Sequence, residues 1–344
     1  MSNYVWGDNQ TQFFFSLDPD TILDAVDELG LRTTGRCLTL NSMENRVYEI
    51  EIDVDESKVT SASDRFVVAK FYRPGRWTKE QILEEHEFLL DLQENELPVI
   101  APIKIDGQTL FKLNDHEIFY TLFPKKGGRP PEEMNADQLE LMGRTIARIH
   151  NVGASKKAKH RIQITPESFG KQNLNFLLDT PHIPQDFKES YSNAVNGLYK
   201  LINPMFEDVS YHRIHGDCHR GNIILRDEGP YFIDFDDMLV AQSVQDIWMI
   251  TPGRDDYSLN QRNTLIDSYL EMRDFNFNEL KLIEVLRALR MIHFTSWIAH
   301  RYDDESFKRT FENFKTNQYF EKEIFDLNQQ LLYIKDDLSK TIHY

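Results

Sequence analysis

Cysteine is nearly absent from this sequence, and positive charge is outnumbered. Only Cys37 and Cys218 occur in 344 residues. Two thiols cannot build a disulfide framework or a Cys-rich zinc site. Lys and Arg number 39 against 56 Asp and Glu, a formal net charge of −17. A surface this acidic repels phosphate backbones and anionic lipid heads, so neither nucleic acid nor a membrane surface is an expected partner. No run approaches the roughly 18 uncharged apolar residues of a membrane span. Residues 1–15 lack a basic stretch followed by an apolar one, so no secretory leader is expected there. What is present is a hydrophobic fraction of 40%, with aromatic residues at 12%. That is too rich for a disordered chain, and the length suits about two domains. The composition thus predicts an acidic, cytoplasmic, two-lobed protein.

Local patterning divides the chain. Residues 18–29 read as a short amphipathic helix, with Asp18 as N-cap, Pro19 in the first turn and Gly30 as the stop. Segments 36–40 and 46–52 form a hairpin pattern, and 53–64 is a polar loop. Segment 65–72 is strongly β-prone and carries Lys70; 78–93 reads as a helix. Segments 109–113 and 117–123 form another strand pair. Pro124, Gly127, Gly128, Pro130 and Pro131 then mark the clearest boundary in the chain. Beyond it lie helices over 136–150 and 187–202, a loop-rich stretch over 153–185, and a small hairpin at 223–225 and 231–233. From Ser243 onward most of the chain reads as helix, notably 278–301 and 318–339. The expected division is an N-terminal lobe over 1–123, a hinge over 124–131 and a helical lobe over 132–344.

The chemistry concentrates in 213–237. His215-Gly216-Asp217 is followed by Asn222, five positions after Asp217, and by Asp234 twelve further on. H-x-D-x-x-x-x-N is the spacing of a kinase catalytic loop, in which the aspartate faces the substrate hydroxyl. A neutral amide such as Asn222 can hold Mg²⁺ without adding charge, and Asp234 supplies the carboxylate that Mg²⁺ takes beside substrate phosphates. Asp217 and Asp234 are therefore the candidate catalytic residues, and Asn222 and Asp234 the candidate metal ligands. Lys70, in Val67-Val68-Ala69-Lys70, matches the strand lysine that pairs nucleotide phosphates. Glu85 falls on the apolar stripe of the following helix and is its natural partner; Glu84, one step off the stripe, is the alternative.

These residues together resemble the aminoglycoside phosphotransferase/choline kinase branch of the protein-kinase-like fold. The hallmark is Gly216 where protein kinases carry arginine. Within that branch, residues 40–48, 66–74, 82–86, 215–222 and 244–249 are similar to a family of bacterial stress-response serine/threonine kinases. The resemblance implies an α+β, two-lobed fold with a small β-rich N-terminal lobe and a larger helical C-terminal lobe. It further implies ATP- and Mg²⁺-dependent phosphorylation of protein serine or threonine, autophosphorylation included, in the cytoplasm during envelope stress; a monomer is expected. A small-molecule kinase for an amino-alcohol, sugar or aminoglycoside is the other reading, since the acidic surface with Asp236 and Asp237 suits a cationic acceptor.

Two departures stand out. Segment 40–48 contains no glycine, unlike the phosphate loop of ordinary kinases. The resemblance implies that Ser42 and Asn45 contact ATP instead, although Ser42 also reads as an ordinary turn residue. Only twelve positions separate Asp234 from Asp246, too few for a long activation loop. Asp246 is expected to anchor the catalytic-loop backbone, His219 to orient the loop, and His150 and Cys218 to pack. Asp236 and Asp237 read equally as ligands of a second Mg²⁺, a lure for a cation, or caps. Arg287, Arg290 and Arg301 read either as substrate contacts or as helical salt bridges, and 119–124 either as the hinge whose backbone receives adenine or as a boundary strand.

Overall fold

A computed structural model describes residues 17–113, 117–207, 209–226 and 229–341. Residues 1–15, read above for a leader, and Asp227 and Glu228 of the expected hairpin turn lie outside them.

The N-terminal part begins with α1 (Pro19–Asp27), whose cap is the Asp18 carboxylate accepting from the Thr21 backbone N–H at 2.8 Å. Strands β1 (Thr33–Leu40), β2 (Arg46–Ile52), β3 (Phe66–Phe71), β4 (Phe111–Lys112) and β5 (Phe119–Pro124) form one antiparallel sheet in the order β1-β2-β3-β5-β4. The alternation read in 46–52 puts Tyr48, Ile50 and Ile52 inward, against α1 and the inner residues of β3 and β5. Lys70 lies in the central strand, paired in register with Val47 and Thr121. Helix α2 (Lys79–Glu94) opens on a capping box made by Thr78 and Gln81. Its inner face sends Phe88 and Leu92 into the main core.

The C-terminal part is mostly helical. It contains α3 (Ala136–Ser155), α4 (Gln172–Asp179), α5 (Gln185–Ile202), α6 (Val244–Ile250), α7 (Asp256–Leu270), α8 (Ile283–Arg301), α9 (Glu305–Thr310) and α10 (Asn317–Thr341). Two small antiparallel pairs support the site: β6 (His212–Ile214) with β9 (Leu239–Ala241), and β7 (Ile223–Arg226) with β8 (Gly229–Phe232). This is the α+β, two-part architecture expected from the sequence.

Two local expectations are corrected, and one strand pair was not foreseen. The stretch 153–185 is not merely loop: it holds a π-turn over Pro166–Lys171 and then α4. Helix α3 continues past His150 to Ser155. The pair β6 and β9 escaped notice because three-residue strands leave no period to read. The chain after β5 presses on β7, with the Arg129 carbonyl accepting from the Leu225 N–H at 3.1 Å. A Cβ on Gly128 would stand 1.9 Å from the Ile224 side chain, so this approach requires glycine.

Candidate active site

The loop after β6 is held from below. Asp246, in the first turn of α6, accepts the backbone N–H groups of His215 and Gly216, each at 2.9 Å. The expected anchoring of the loop by Asp246 is what the structure shows. The same carboxylate meets His150 Nε2 at 3.1 Å, and burial holds that imidazole below its usual pKa, so His150 packs as a neutral ring. Gly216 has φ +88°, and a Cβ there would stand 2.2 Å from the Asp237 carbonyl oxygen. The loop and the 235–237 turn can touch only because this position has no side chain. His215 Nε2 lies 2.9 Å from the Ile233 carbonyl, which ties the loop to the approach of Asp234. Asn222 Nδ2 donates to the Asp217 carbonyl at 3.0 Å. That bond fixes the amide plane and turns its oxygen to the opposite side.

Lys70 sits in a cage of carboxylates. Its Nζ is 3.0 Å from Asp236 Oδ1, 3.5 Å from Asp234 Oδ1 and 3.7 Å from Glu85 Oε1. Burial favours the neutral amine, but Asp236, Glu85 and Asp234 outweigh it and lift the pKa well above the ordinary lysine value. Glu85 is the helix partner. Glu84 turns away and accepts the backbone N–H groups of His160 and Arg161 at 2.9 and 2.6 Å. Asp236, read above as a ligand, lure or cap, is 4% exposed and committed to Lys70 and to Arg76 at 3.6 Å. Burial would raise its carboxyl pKa, but Lys70, Arg76 and Arg161 hold it below the usual range.

Asp234 differs from its neighbours. Strand β8 ends at Phe232, one residue short of the expected 231–233, and Asp234 follows it in the left-handed region, φ 59°. Its side chain is 56% exposed. Such a backbone costs energy in a non-glycine residue and is kept where the surroundings impose it. Here the next residue, Phe235, packs between Phe88 of α2, at 5.9 Å between ring centroids, and His215, at 4.3 Å.

Two cavities flank the 234–237 turn, one lined by Asp234 and Phe235 and the other by Asp237. The first, about 430 Å³, runs under the sheet between Val47, Val68 and Phe123 on one side and Ile224 and Ile233 on the other, with Ser42, Asn45, Lys70 and Asp234 at its polar end. Asn45 is tied down: its Oδ1 accepts the Arg73 N–H at 3.1 Å. The second, about 210 Å³, lies across Asp217 and is walled by Trp77, Ile162, Phe169, Leu289, Phe294 and Trp297. Asp217 Oδ2 is 3.3 Å from His219 Nε2, and Oδ1 is 2.9 Å from Arg290 Nη2. Burial would raise the Asp217 pKa, but His219 and Arg290 hold it well below the carboxylate range. Arg287 instead meets Glu284, and Arg301 is buried against Glu44. Cys218 is buried and its thiol pKa is pushed well up by that burial, so it packs. Among the described residues no group of three or more His, Cys, Asp or Glu could hold a metal. A cation here would need phosphate oxygens in addition to Asp234 and Asn222.

Residues 40–283 match the phosphotransferase enzyme family. The chain belongs to that family. It is therefore a kinase-type transferase. This phosphotransferase is 40% identical over 305 residues to stress response kinase A of Escherichia coli (strain K12), across 88% of this chain and 89% of that one. It is 37% identical over 317 residues to the serine/threonine protein kinase RdoA of Salmonella typhimurium, across 92% and 93%. Among solved structures, amicoumacin kinase hAmiN in complex with AMP-PNP, Ca²⁺ and Ami superposes with a TM-score of 0.70 at 17% identity, covering 94% of this chain and 95% of that one. A microcompartment-associated aminopropanol kinase gives 0.64 at 15%, covering 93% and 98%. These two share the fold.

The phosphotransferase site also uses residues that the sequence did not single out. Glu44, at the tip of the 41–45 loop, is buried among Arg73 (3.2 Å), Arg76 (3.0 Å), Arg301 (2.9 Å) and the Trp297 indole N–H (2.7 Å). Arg76 continues to Asp236 and Asp237. Arg161 stacks on Trp77 at 4.3 Å, donates to the Asp236 carbonyl at 2.7 Å and pairs with Glu85 at 3.0 Å. The only local signal was the basic cluster Arg73 and Arg76 around Pro74-Gly75.

Proposed function

We propose that this phosphotransferase moves the γ-phosphoryl group of ATP, with Mg²⁺, to serine or threonine hydroxyls of proteins, its own chain included, as a cytoplasmic stress-response kinase. The observation that carries it is that Asp217 lines an aromatic-walled cavity while Lys70 and Asp234 line the sheet-side cavity, with Asn222 bonded to the Asp217 backbone. The names of its relatives supply the protein-hydroxyl acceptor.

The nucleotide fits the sheet-side cleft, adenine between Val68 and Phe123 near the β5 backbone, phosphates toward Lys70. Lys70 meets the phosphates as a cation locked by Asp236 and Glu85, so it needs no reorganisation when charge shifts during transfer. Ser42 stands at the rim of that cleft, where its hydroxyl reaches the phosphates. Asn45 acts at one remove, by fixing the loop. The donor set suits Mg²⁺: one exposed carboxylate, Asp234, and one oriented amide oxygen, Asn222, beside phosphate oxygens. Bound there, the ion supplies charge neutralisation at the transferring group. Asp217 Oδ1 is buried without a hydrogen bond in good geometry, although Arg290 stands beside it. That oxygen is the acceptor for the substrate hydroxyl proton, and it aligns the hydroxyl for attack.

A second reading, a kinase for a small hydroxyl compound, has one observation in its favour: the cavity across Asp217 is only about 210 Å³. Incubation with γ-labelled ATP separates the two, first alone, then with serine peptides, then with pooled metabolites. Label on the chain itself or on peptides is the expected outcome. Label confined to a small molecule selects the second reading, and no ATP turnover in any mixture overturns both.

A further inference from the structure

The molecule carries a net charge of −17, yet the cavity across Asp217 is not an anionic trap. Three carboxylates line it, and each faces an arginine. Glu44 meets Arg73, Arg76 and Arg301; Asp237 meets Arg76; Asp217 meets Arg290 at 2.9 Å. Asp236 behind them is taken by Lys70 at 3.0 Å. An ammonium group entering this space would find each of these carboxylates already paired with a guanidinium, and would have to displace it or lie beside it. The cationic acceptor that the acidic composition suggests therefore has no site here.

Arg290 differs from the other cations. Arg76, Arg73 and Arg301 are buried inside the Glu44 network. Arg290 projects from α8 with its side chain 45% exposed, and it touches the carboxylate that receives the hydroxyl. A planar guanidinium presents five donors, so an ion pair with Asp217 through Nη2 leaves others for an incoming group.

We propose that Arg290 is a specificity-determining residue: it admits hydroxyl groups that stand beside a carboxylate or another anion, and disfavours hydroxyl groups that stand beside an ammonium. The inference rests on the protein-kinase reading, and its acceptor is a serine or threonine flanked by acidic residues. Like charges brought together at an interface are costly, and opposite charges fix register. Arg290 acts through both, at the one place where acceptor and catalytic carboxylate meet.

The test compares three peptides that differ only around one serine, flanked by Asp, by Ala or by Lys. The parental chain is expected to phosphorylate the Asp-flanked peptide at least about tenfold more efficiently (kcat/KM) than the Lys-flanked one, with the Ala-flanked peptide between. Arg290→Gln is expected to collapse that ratio to within about threefold, whereas Arg290→Lys retains most of it. A purely structural arginine would change all three peptides alike. Equal use of the peptides by the parental chain, preference for the Lys-flanked one, or sorting that persists in Arg290→Gln each overturn the proposal. If no peptide is taken, glycerate against ethanolamine reads the same sorting on free compounds. Preference for ethanolamine, equal use, or use of neither overturns it. Transfer from ATP that shows no sorting sinks only this inference, whereas absence of any transfer sinks the kinase reading itself.

Discussion

Gly216 and Glu85 each show how one side chain is dictated by what lies across the site. Position 216 has no room for a methyl group, because the Asp237 carbonyl would be 2.2 Å from it, and its φ of +88° strains any other residue. Gly216→Ala is expected to lower stability by about 1–3 kcal/mol, and to slow transfer by shifting Asp217; chemical denaturation and a rate assay read the two effects. Glu84 and Glu85 are adjacent but do different work. Glu85→Gln removes a charge from the Lys70 cage and is expected to weaken ATP affinity by about tenfold, since a buried charge pair carries about 1.4 kcal/mol or more. Glu84→Gln instead loosens the backbone of 160–161, and is expected to lower the unfolding midpoint with ATP affinity near parental. A titration in which the Glu84 variant loses nucleotide and the Glu85 variant does not would reverse the assignment.

Among elements, the 41–45 loop and helix α8 form the connection that the sequence hid. Glu44 reaches from the sheet hairpin to Trp297 and Arg301 on α8. Burial would raise its pKa, but Arg301, Arg76 and Arg73 bring it down to about 2. Glu44→Gln leaves three buried guanidinium groups without their shared anion, and is expected to cost about 3–5 kcal/mol. The glycine-free loop is thereby explained: it is held by a buried carboxylate rather than by flexible close approach. Asp217, Asn222, Asp234, Lys70 and Glu85 were legible because their spacing is local to a loop, a strand or a helix turn. The ties of Glu44 to α8, of Lys70 to Asp236 and of Arg161 to Glu85 span 76 to 257 residues of sequence, and no local period reports them. The acidic pair Asp236 and Asp237 shows the same limit. Composition pointed to a cation lure, whereas the fold supplies arginine and lysine partners from other elements.

For the whole molecule, charge and pH set the margins. No helix of the described residues is long and apolar enough to cross a membrane. The N-terminal sheet and the main helical core each bury their own apolar cluster, and α2 joins the second while its Glu85 serves the first. His86 lies on this seam, within 2.9 Å of both the Tyr72 hydroxyl and Thr109 Oγ1. Burial pulls its pKa down to about 3. Below pH 6.5 the unfolded chain takes a proton there that the folded chain refuses until about pH 3. This site's share of stability is therefore full above pH 6.5 and is lost progressively as pH falls toward 3. Thermal unfolding of His86→Gln between pH 7 and pH 4 is expected to show a shallower pH slope than the parental chain; an unchanged slope would contradict that.

All of this turns on Asp217 as the residue that orients the acceptor hydroxyl. The direct measurement is transfer of the ATP γ-phosphate to serine by Asp217→Asn, alongside nucleotide affinity in the same preparation. The expected result is a fall in transfer of about a thousandfold or more, with ATP affinity within about threefold of parental. Transfer at the parental rate by Asp217→Asn would contradict the account.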